Sequence, residues 1–259
     1  MRQKNTVYLQ HSFSKNLGQN FLIDENVIQR QIGYGNINKK DIVLEIGGGL
    51  GSLTKALSEK ACKVITIEKD SRLIKYLVEL NKDNLEIIHG DALKIDFPYF
   101  NKVVSNLPYS ISSKITFKLL SYNFEVGVLM YQKEFANRIV ASPRTKEYSR
   151  LTVNVYYKAE AKLIEYVPPD AFYPMPKVYS AIVLLKPRKK KPFKILDEKI
   201  FYSVVRRIFN KRRKKIKNAL SISNEKVPYL NNRGEELTPE QIGELANAIA
   251  MLNQNNQIP

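Results

Sequence analysis

The segment Asn106-Leu107-Pro108-Tyr109 carries residue types that methylation of an exocyclic adenine amine would need. The lone pair of such an amine is delocalised into the ring, so a catalyst must aim acceptors at the amino hydrogens to favour a pyramidal nitrogen. The side-chain oxygen of Asn106 and a backbone carbonyl within Asn106-Leu107-Pro108 could supply those acceptors. Pro108 would fix the turn, and Tyr109 could stack on the base. The alternative is a structural Pro-Tyr turn after a strand.

A glycine-rich turn, Gly47-Gly48-Gly49-Leu50-Gly51, follows the apolar run Ile42-Val43-Leu44-Glu45-Ile46. Glycine is needed where a backbone turns tightly and approaches a ligand without a Cβ in the way. Gly47 and Gly49 match the dinucleotide fingerprint, but Ser52 stands at its third glycine position. The Gly-x-Gly-x-Gly spacing after a glutamate is typical of the first motif of S-adenosylmethionine-dependent methyltransferases. A plain structural turn is the alternative.

Two carboxylates follow the next two apolar runs. Glu68 lies 21 residues after Gly47 and could accept hydrogen bonds from both ribose hydroxyls of an adenosine-type cofactor. Asp91 could accept from an adenine amino group. The alternatives are a surface glutamate beside Lys69 and a helix N-cap at Asp91. Because the two residues stand at consecutive strand ends, their joint occurrence favours a cofactor site.

Seven short apolar runs predict the strands that position these residues. The first five are about 20 residues apart with helix-length connections, which is the βαβ rhythm of a parallel sheet with helices on both faces. The last two are joined by the proline-rich Pro168 to Pro176, which suits an antiparallel pair closing the sheet. The runs begin at Ile42, Val64, Leu85, Lys102, Val126, Ala161 and Ala181.

The pattern becomes helical after Pro187. Apolar residues recur at helical spacing from Phe201 to Phe209, a second helix is predicted around Ile216 to Leu220, and a third begins at Thr238-Pro239. The sequence therefore predicts two domains, residues 1–186 and 187–259, the second small and entirely helical.

The charge is concentrated in that second domain. The chain has 42 Lys and Arg against 25 Asp and Glu, a net charge of +17, and Lys186 to Lys217 holds 15 basic and 2 acidic residues. Such a block attracts polyanions, most commonly nucleic acid; a lysine-rich solubilising surface is the alternative. We expect the apolar helix residues to dock inward and leave the cations facing RNA. The predicted RNA-binding residues are Arg206, Arg207, Arg212, Arg213, Lys214 and Lys215.

Composition argues against several other classes. No apolar run approaches the 18 residues of a membrane span, and the first ten residues show no secretory leader. A single cysteine, Cys62, excludes a disulfide scaffold, and with only His11 and His89 besides, no metal centre is expected. We therefore expect a soluble cytoplasmic protein without a metal.

Five segments resemble the ribosomal RNA adenine dimethyltransferases in order and spacing, over about residues 12 to 220. The match is to the branch that modifies small-subunit rRNA, and the lysine- and isoleucine-rich composition indicates an archaeal form. The family's frequent proline is replaced here by Gly48. The segments are Asn16-Leu17-Gly18-Gln19-Asn20-Phe21-Leu22, Glu45 to Gly51, Gly90-Asp91-Ala92, Asn106 to Tyr109, and Phe172-Tyr173-Pro174-Met175-Pro176-Lys177-Val178.

The resemblance implies a Rossmann-like class I methyltransferase fold, a seven-stranded mostly parallel sheet with one antiparallel strand. It implies S-adenosylmethionine as cofactor. The implied substrate is a pair of adjacent adenosines near the 3′ end of small-subunit rRNA, each dimethylated at N6 within an assembling subunit. The enzyme is expected to be a monomer. Asn106, in the segment Asn106-Leu107-Pro108, would orient the target amine, and Tyr109 and Phe172 would pack around the base. The implied cofactor-binding residues are Asn20, Leu22, Gly47, Gly49, Glu68, Asp91 and Asn106.

Two other functions stay open at this point. One is methylation of a single adenosine in large-subunit rRNA, the antibiotic-resistance type, in which Asn-Ile-Pro-Tyr is frequent where this chain has Asn-Leu-Pro-Tyr. The other is a non-catalytic RNA-binding assembly factor built on the same scaffold. Such a binder would need neither Glu68 nor Asn106.

Overall fold

The computed structural model describes residues 19–254, which form two compact units. The first holds the described residues up to Ala136 together with Lys162–Pro187, and the second holds Asn137–Ala161 and the described residues from Arg188 onward. The sequence predicts one boundary near residue 187, whereas the chain passes between the units at three places. Asn137–Ala161 joins the helical unit because its buried Tyr148, Val153 and Tyr157 belong to that unit's core.

The first unit is built on a seven-stranded sheet in the order β4-β3-β2-β5-β6-β9-β7. Strands β2 to β6 pair in parallel, and β9 runs antiparallel to β6. The predicted mostly parallel sheet with an antiparallel strand is thereby confirmed. The strands are β2 (Ile42–Ile46), β3 (Lys63–Glu68), β4 (Leu85–His89), β5 (Lys102–Asn106), β6 (Val126–Gln132), β7 (Ala159–Val167) and β9 (Ser180–Pro187).

A two-stranded ribbon, β1 (Phe21–Leu22) paired antiparallel with β8 (Phe172–Tyr173), was not predicted. Two residues are too few to show an alternating pattern, and β8 lies inside the proline-rich link. Leu22 and Phe172 are nearly inaccessible and enter the same core as the sheet residues Val43 and Met130. The ribbon therefore brings the N-terminal segment to the loop that precedes β9.

Three helices of the first unit, Ser52–Lys60, Ser71–Val78 and Ser112–Leu119, connect parallel strands, whereas Glu25–Tyr34 precedes β2 and Lys133–Ile139 follows β6. Helix α2 begins directly after Gly51, and α3 begins at Ser71, where the carboxylate of Asp70 accepts the Arg72 backbone N–H as an N-cap. The helices are α1 (Glu25–Tyr34), α2 (Ser52–Lys60), α3 (Ser71–Val78), α4 (Ser112–Leu119) and α5 (Lys133–Ile139), the last of which crosses into the second unit.

The second unit is helical. It contains the end of α5, α6 (Arg150–Lys158), α7 (Glu198–Asn210), α8 (Ile216–Leu220) and α9 (Pro239–Gln254). Helix α7 buries Phe201, Val204, Val205 and Ile208 at the predicted spacing. Helix α9 begins at Pro239 as predicted, and the Thr238 and Gln241 side chains bond each other's backbone N–H groups. Within residues 19–254, no helix has the length and apolar character to cross a bilayer.

Candidate active site

A cavity of about 240 Å³ opens in the first unit at the carboxyl ends of β2, β3 and β5. Parallel strands end at the same edge, so the loops that follow them meet there. The cavity brings together the residues predicted to hold the cofactor and the target base. They are Asn20, Leu22, Gly47, Gly49, Glu68, Asp91, Asn106, Leu107, Pro108, Tyr109 and Phe172.

The glycine turn has the backbone its sequence predicted. Gly47, Gly49 and Gly51 have φ angles of +82°, +59° and +85°, a region that other residues enter only with strain. Gly48 lies close to β3, because a Cβ at this position would come within 2.4 Å of the Thr66 hydroxyl oxygen. The turn therefore presents bare backbone to the cavity and closely contacts the neighbouring strand.

Glu68 is buried, only 7% exposed, so its alternative as a surface residue is wrong. Its two carboxylate oxygens accept the backbone N–H groups of Gly49 at 2.9 Å and Asp70 at 2.8 Å. Burial raises the pKa of Glu68, and these hydrogen bonds oppose the rise. Glu68 thus holds the glycine turn against the end of β3 while lining the cavity.

Asp91 follows β4 and organises the turn there. Its carboxylate accepts the Leu93 backbone N–H at 3.0 Å and pairs with Lys69 Nζ at 3.0 Å, and both contacts lower its pKa. The chain after Asp91 forms turns rather than a helix, so the helix N-cap alternative is wrong. The side chain remains on the cavity wall, where an acceptor was predicted.

Asn106 is the last residue of β5, and its side-chain oxygen is buried with no hydrogen-bond partner among the described residues. Leaving a buried carbonyl unpaired costs about 1–3 kcal/mol, so such atoms call for an explanation. Tyr109 is held by a 2.6 Å hydrogen bond between its hydroxyl and that of Ser180. The cavity therefore contains a buried acceptor beside a fixed aromatic ring, which suits a base that carries an amino group.

A second buried carboxyl, Glu45, makes stability depend on pH. Burial raises the pKa of Glu45 to about 7, against an opposing 2.6 Å hydrogen bond from the Thr54 hydroxyl. Between pH 4.5 and 7 the folded protein retains a proton that the unfolded chain releases, so the free energy of unfolding falls as pH rises. In the natural protein, Glu45 is expected to lower the free energy of unfolding by on the order of 2 kcal/mol between pH 5 and pH 8, and Glu45→Gln should abolish this decrease. Urea unfolding of both proteins at the two pH values measures it, and equal pH dependence would contradict the assignment.

Comparison with known proteins decides the family. A family model described as ribosomal RNA adenine dimethylase matches residues 10–254. This chain belongs to the ribosomal RNA adenine dimethylase family. The resemblance found in the sequence is confirmed.

Relatives of this dimethylase-family chain span nearly its whole length. It is 47% identical over 247 residues to the "Probable ribosomal RNA small subunit methyltransferase A" of Methanosarcina acetivorans, covering 89% of this chain and 91% of that protein. A protein of the same name from Thermococcus onnurineus is 45% identical over 263 residues, covering 95% and 94%.

Two solved structures share the fold over both units. A dimethyladenosine transferase from Plasmodium falciparum has a TM-score of 0.79 at 30% identity, covering 91% of this chain and 98% of that one. The 23S rRNA methyltransferase ErmE has a TM-score of 0.72 at 29% identity, covering 89% and 100%. The Rossmann-like methyltransferase fold is confirmed.

The six basic residues predicted to bind RNA differ in their contacts with the rest of this dimethylase-family chain. Arg206, Arg213, Lys214 and Lys215 are exposed, as expected for cations facing a polyanion. Arg212 departs from that expectation, because its guanidinium bonds the Glu235 carboxylate at 2.7 Å and the Lys146 carbonyl at 2.8 Å. Arg207 is exposed but donates to the Leu220 carbonyl. Arg212 therefore ties three segments of the second unit together.

The sequence reading missed two positioning residues. Ser180 fixes Tyr109, and Gln19 donates to the Asp70 carboxylate at 2.7 Å while lining the cavity. Serine and glutamine types carry no signal of these roles, although Gln19 stands inside a segment that resembles the family. The start of that segment, Asn16-Leu17-Gly18, and His11 lie outside the described residues.

Proposed function

We propose that this protein transfers methyl groups from S-adenosylmethionine to N6 of two adjacent adenosines near the 3′ end of small-subunit rRNA, in ribosome biogenesis. Its membership of the dimethylase family and the small-subunit names of its archaeal relatives support the proposal. The single observation that carries the chemistry is the buried, unpartnered side-chain oxygen of Asn106 on the cavity wall. A cytoplasmic location, a monomeric state and an assembling subunit as substrate stay predictions.

Asn106 would orient the target amine by accepting one of its hydrogens. The Pro108 carbonyl already accepts the Ile111 backbone N–H at 3.1 Å, so the Leu107 carbonyl is our candidate for the second acceptor. Two acceptors aimed at the amino hydrogens favour a pyramidal nitrogen whose lone pair points out of the ring. Tyr109 and Phe172 would hold the base between them, and the Ser180 hydroxyl keeps the Tyr109 ring in place.

The cavity fits the cofactor that the family implies. Gly47 and Gly49 leave a cradle without Cβ atoms, Glu68 offers a buried carboxylate, and Asn20 and Asp91 add polar groups. These residues would hold S-adenosylmethionine, with Leu22 on the apolar side. When bound, the cofactor supplies a methyl group on a sulfonium, an excellent leaving group, so the residues here need only bind and orient the two reactants.

Replacing Glu68 with glutamine is expected to weaken S-adenosylmethionine binding about 10- to 100-fold, because a hydrogen bond to a charged group contributes roughly 1.5–3 kcal/mol. Glutamine keeps the volume of the side chain and one acceptor for the backbone. Calorimetric titration with S-adenosylmethionine measures the affinity, and RNA affinity should be unchanged. The matched control is Glu59→Gln, which replaces an exposed glutamate on α2. If Glu68→Gln and Glu59→Gln bind the cofactor equally well, Glu68 has no role in holding the ribose.

The exposed cations of the second unit are proposed as the main electrostatic contact with RNA. Replacing Arg206, Arg213, Lys214 and Lys215 with glutamine should flatten the log–log salt dependence of RNA affinity by about two to four units, since each phosphate contact contributes roughly 0.7–0.9. Arg212 is left in place because it bonds Glu235. Binding across a salt series measures the slope.

The control for this prediction removes equal charge from the other unit. Lys39, Lys40, Lys55 and Lys60 are exposed on the first unit, and their replacement with glutamine should leave the slope much closer to that of the natural protein. If the two quadruple variants give the same slope, the charges of the second unit are a solvated surface and RNA is bound elsewhere.

A methyl-transfer assay separates the proposal from its two alternatives. Assembling small-subunit and large-subunit particles that carry unmethylated rRNA are incubated separately with the protein and radiolabelled S-adenosylmethionine. The proposal predicts label in the small-subunit RNA only. Label confined to large-subunit RNA would favour the antibiotic-resistance type of activity, and RNA binding without label would favour an assembly factor.

A further inference from the structure

Three side chains outside the cavity form a cationic and aromatic surface on the first unit. The Nζ atom of Lys133 lies 4.9 Å from the centre of the Tyr166 ring and 5.6 Å from that of Tyr179. Tyr166 is 46% exposed and Tyr179 is 48% exposed, although both are large rings that burial would favour. We call Lys133, Tyr166 and Tyr179 the tyrosine platform.

The tyrosine platform lies at the same edge of the sheet as the cavity. Gln132, the last residue of β6, pairs with Ser180, and Lys133 N–H donates to the Tyr179 carbonyl at 2.9 Å. Parallel strands β5 and β6 end at the same edge of the sheet, since Asn106, the last residue of β5, pairs with Met130, two residues before the end of β6. The platform therefore begins, at Lys133, three residues beyond Met130, the strand position that faces Asn106.

The residue that follows Tyr179 in the chain contacts the predicted base site. Ser180, whose hydroxyl holds that of Tyr109 at 2.6 Å, follows Tyr179 in the chain. In the sheet order, the cofactor strands β3 and β2 lie on one side of β5, whereas β6, β9 and β7 lie on the other. A strand of RNA that places one base beside Asn106 thus has the platform next to it, away from the glycine turn.

We infer that the tyrosine platform binds the single-stranded RNA flanking the target adenosine, with a base stacked on a tyrosine ring and Lys133 against a phosphate. This inference rests on the proposed function and names a further contact surface for its substrate. Exposed aromatic rings beside cations are the means by which proteins bind single strands with little sequence preference. The exposed Lys177, Met175 and Val178, in the loop that leads to Tyr179, extend the surface with a second cation and apolar area.

The test compares tyrosine variants of the platform with an exposed tyrosine elsewhere. Tyr99, which is 74% exposed, lies at the opposite edge of the sheet, just before the start of β5. The probe is a short single-stranded RNA with two adjacent adenosines at its centre. Tyr166→Ala combined with Tyr179→Ala should weaken its binding about 10- to 100-fold, as expected for the loss of one or two stacked bases. Tyr99→Ala should leave binding unchanged.

Further measurements distinguish contact with RNA from damage to the fold. Affinity for S-adenosylmethionine should be unchanged in the double variant, and Tyr166→Phe with Tyr179→Phe should restore RNA binding because the rings remain. In methyl transfer, KM for RNA should rise while kcat stays within a few-fold. RNA affinity equal to that of Tyr99→Ala would overturn the inference. Weaker binding only to assembled subunits, and not to the bare RNA, would also overturn it, since a protein partner would then cover the platform.

These outcomes are separate from a failure of the proposed function. If the natural protein binds the short RNA but transfers no methyl group to the rRNA of assembling small subunits, the proposed function is wrong, and the binding comparison still decides the role of the platform. If the natural protein methylates the RNA and the platform variants bind normally, the proposed function stands and only the platform is refuted.

Discussion

Alanine at Asn106 is expected to slow methyl transfer about 100- to 1000-fold, the cost of losing one preorganised group that stabilises a transition state. The side-chain oxygen of Asn106 is buried and unpartnered among residues 19–254, so its hydrogen bond is available to the reacting amine. The interaction strengthens as the nitrogen becomes pyramidal, so the loss should fall on turnover more than on binding. Single-turnover assays at saturating RNA and cofactor measure the effect.

The matched control for Asn106 is Asn123→Ala, at an exposed position in the loop before β6. It should transfer methyl groups at the natural rate. The RNA affinity of Asn106→Ala should stay within a few-fold of the natural protein, since Tyr109, Phe172 and the basic residues are unchanged. A rate for Asn106→Ala close to that of Asn123→Ala would show that the Asn-Leu-Pro-Tyr turn is structural.

Methionine at Lys102 is expected to lower the free energy of unfolding by about 3–5 kcal/mol, because it leaves a buried carboxylate without its cation. Lys102 begins β5, at the opposite end from Asn106. Its Nζ atom bonds the Asp41 carboxylate at 2.9 Å and the Asn36 carbonyl at 2.8 Å, and the Lys102 and Asp41 side chains are only 7% and 4% exposed. Urea unfolding at pH 7 measures the loss.

The control for Lys102 is an exposed ion pair, formed by Lys63 at the start of β3 with Glu86. Lys63 and Glu86 lie 2.6 Å apart with side chains 44% and 40% exposed, so Lys63→Met should cost only about 0–1 kcal/mol. Adding Asp41→Asn to Lys102→Met should recover much of the loss, because the buried charge is removed while asparagine keeps an acceptor for the Asn38 backbone N–H. If Lys102→Met is no more destabilising than Lys63→Met, the buried pair is not important for stability.

The catalytic half of the fold could be predicted from the sequence because parallel strands buried on both faces appear as short apolar runs. The runs at Ile42, Val64, Leu85, Lys102, Val126, Ala161 and Ala181 match the seven strands of the sheet. Residues that follow such runs must meet at one edge, so the clustering of Gly47, Glu68, Asp91 and Asn106 followed from order alone.

Features that depend on distant partners could not be predicted in this way. Tyr109 and Ser180 are 71 residues apart, and Arg212 and Glu235 are 23 apart, so nothing local indicates either pair. Similarly, the apolar spacing of Asn137–Ala161 does not say which core receives it, and the sequence assigned this segment to the first domain rather than to the helical unit. The Asn106 side-chain oxygen is likewise unpaired because none of the described residues around it donates to it, and those residues come from distant parts of the chain.

Mass spectrometry of small-subunit rRNA before and after incubation with the protein and S-adenosylmethionine tests the central claim most directly. The account predicts a gain of four methyl groups on one RNA fragment near the 3′ end, carried as two N6-dimethyladenosines on adjacent positions, and a far smaller gain with Asn106→Ala in the same incubation time. Unchanged small-subunit RNA, or methylation of large-subunit rRNA alone, would contradict it.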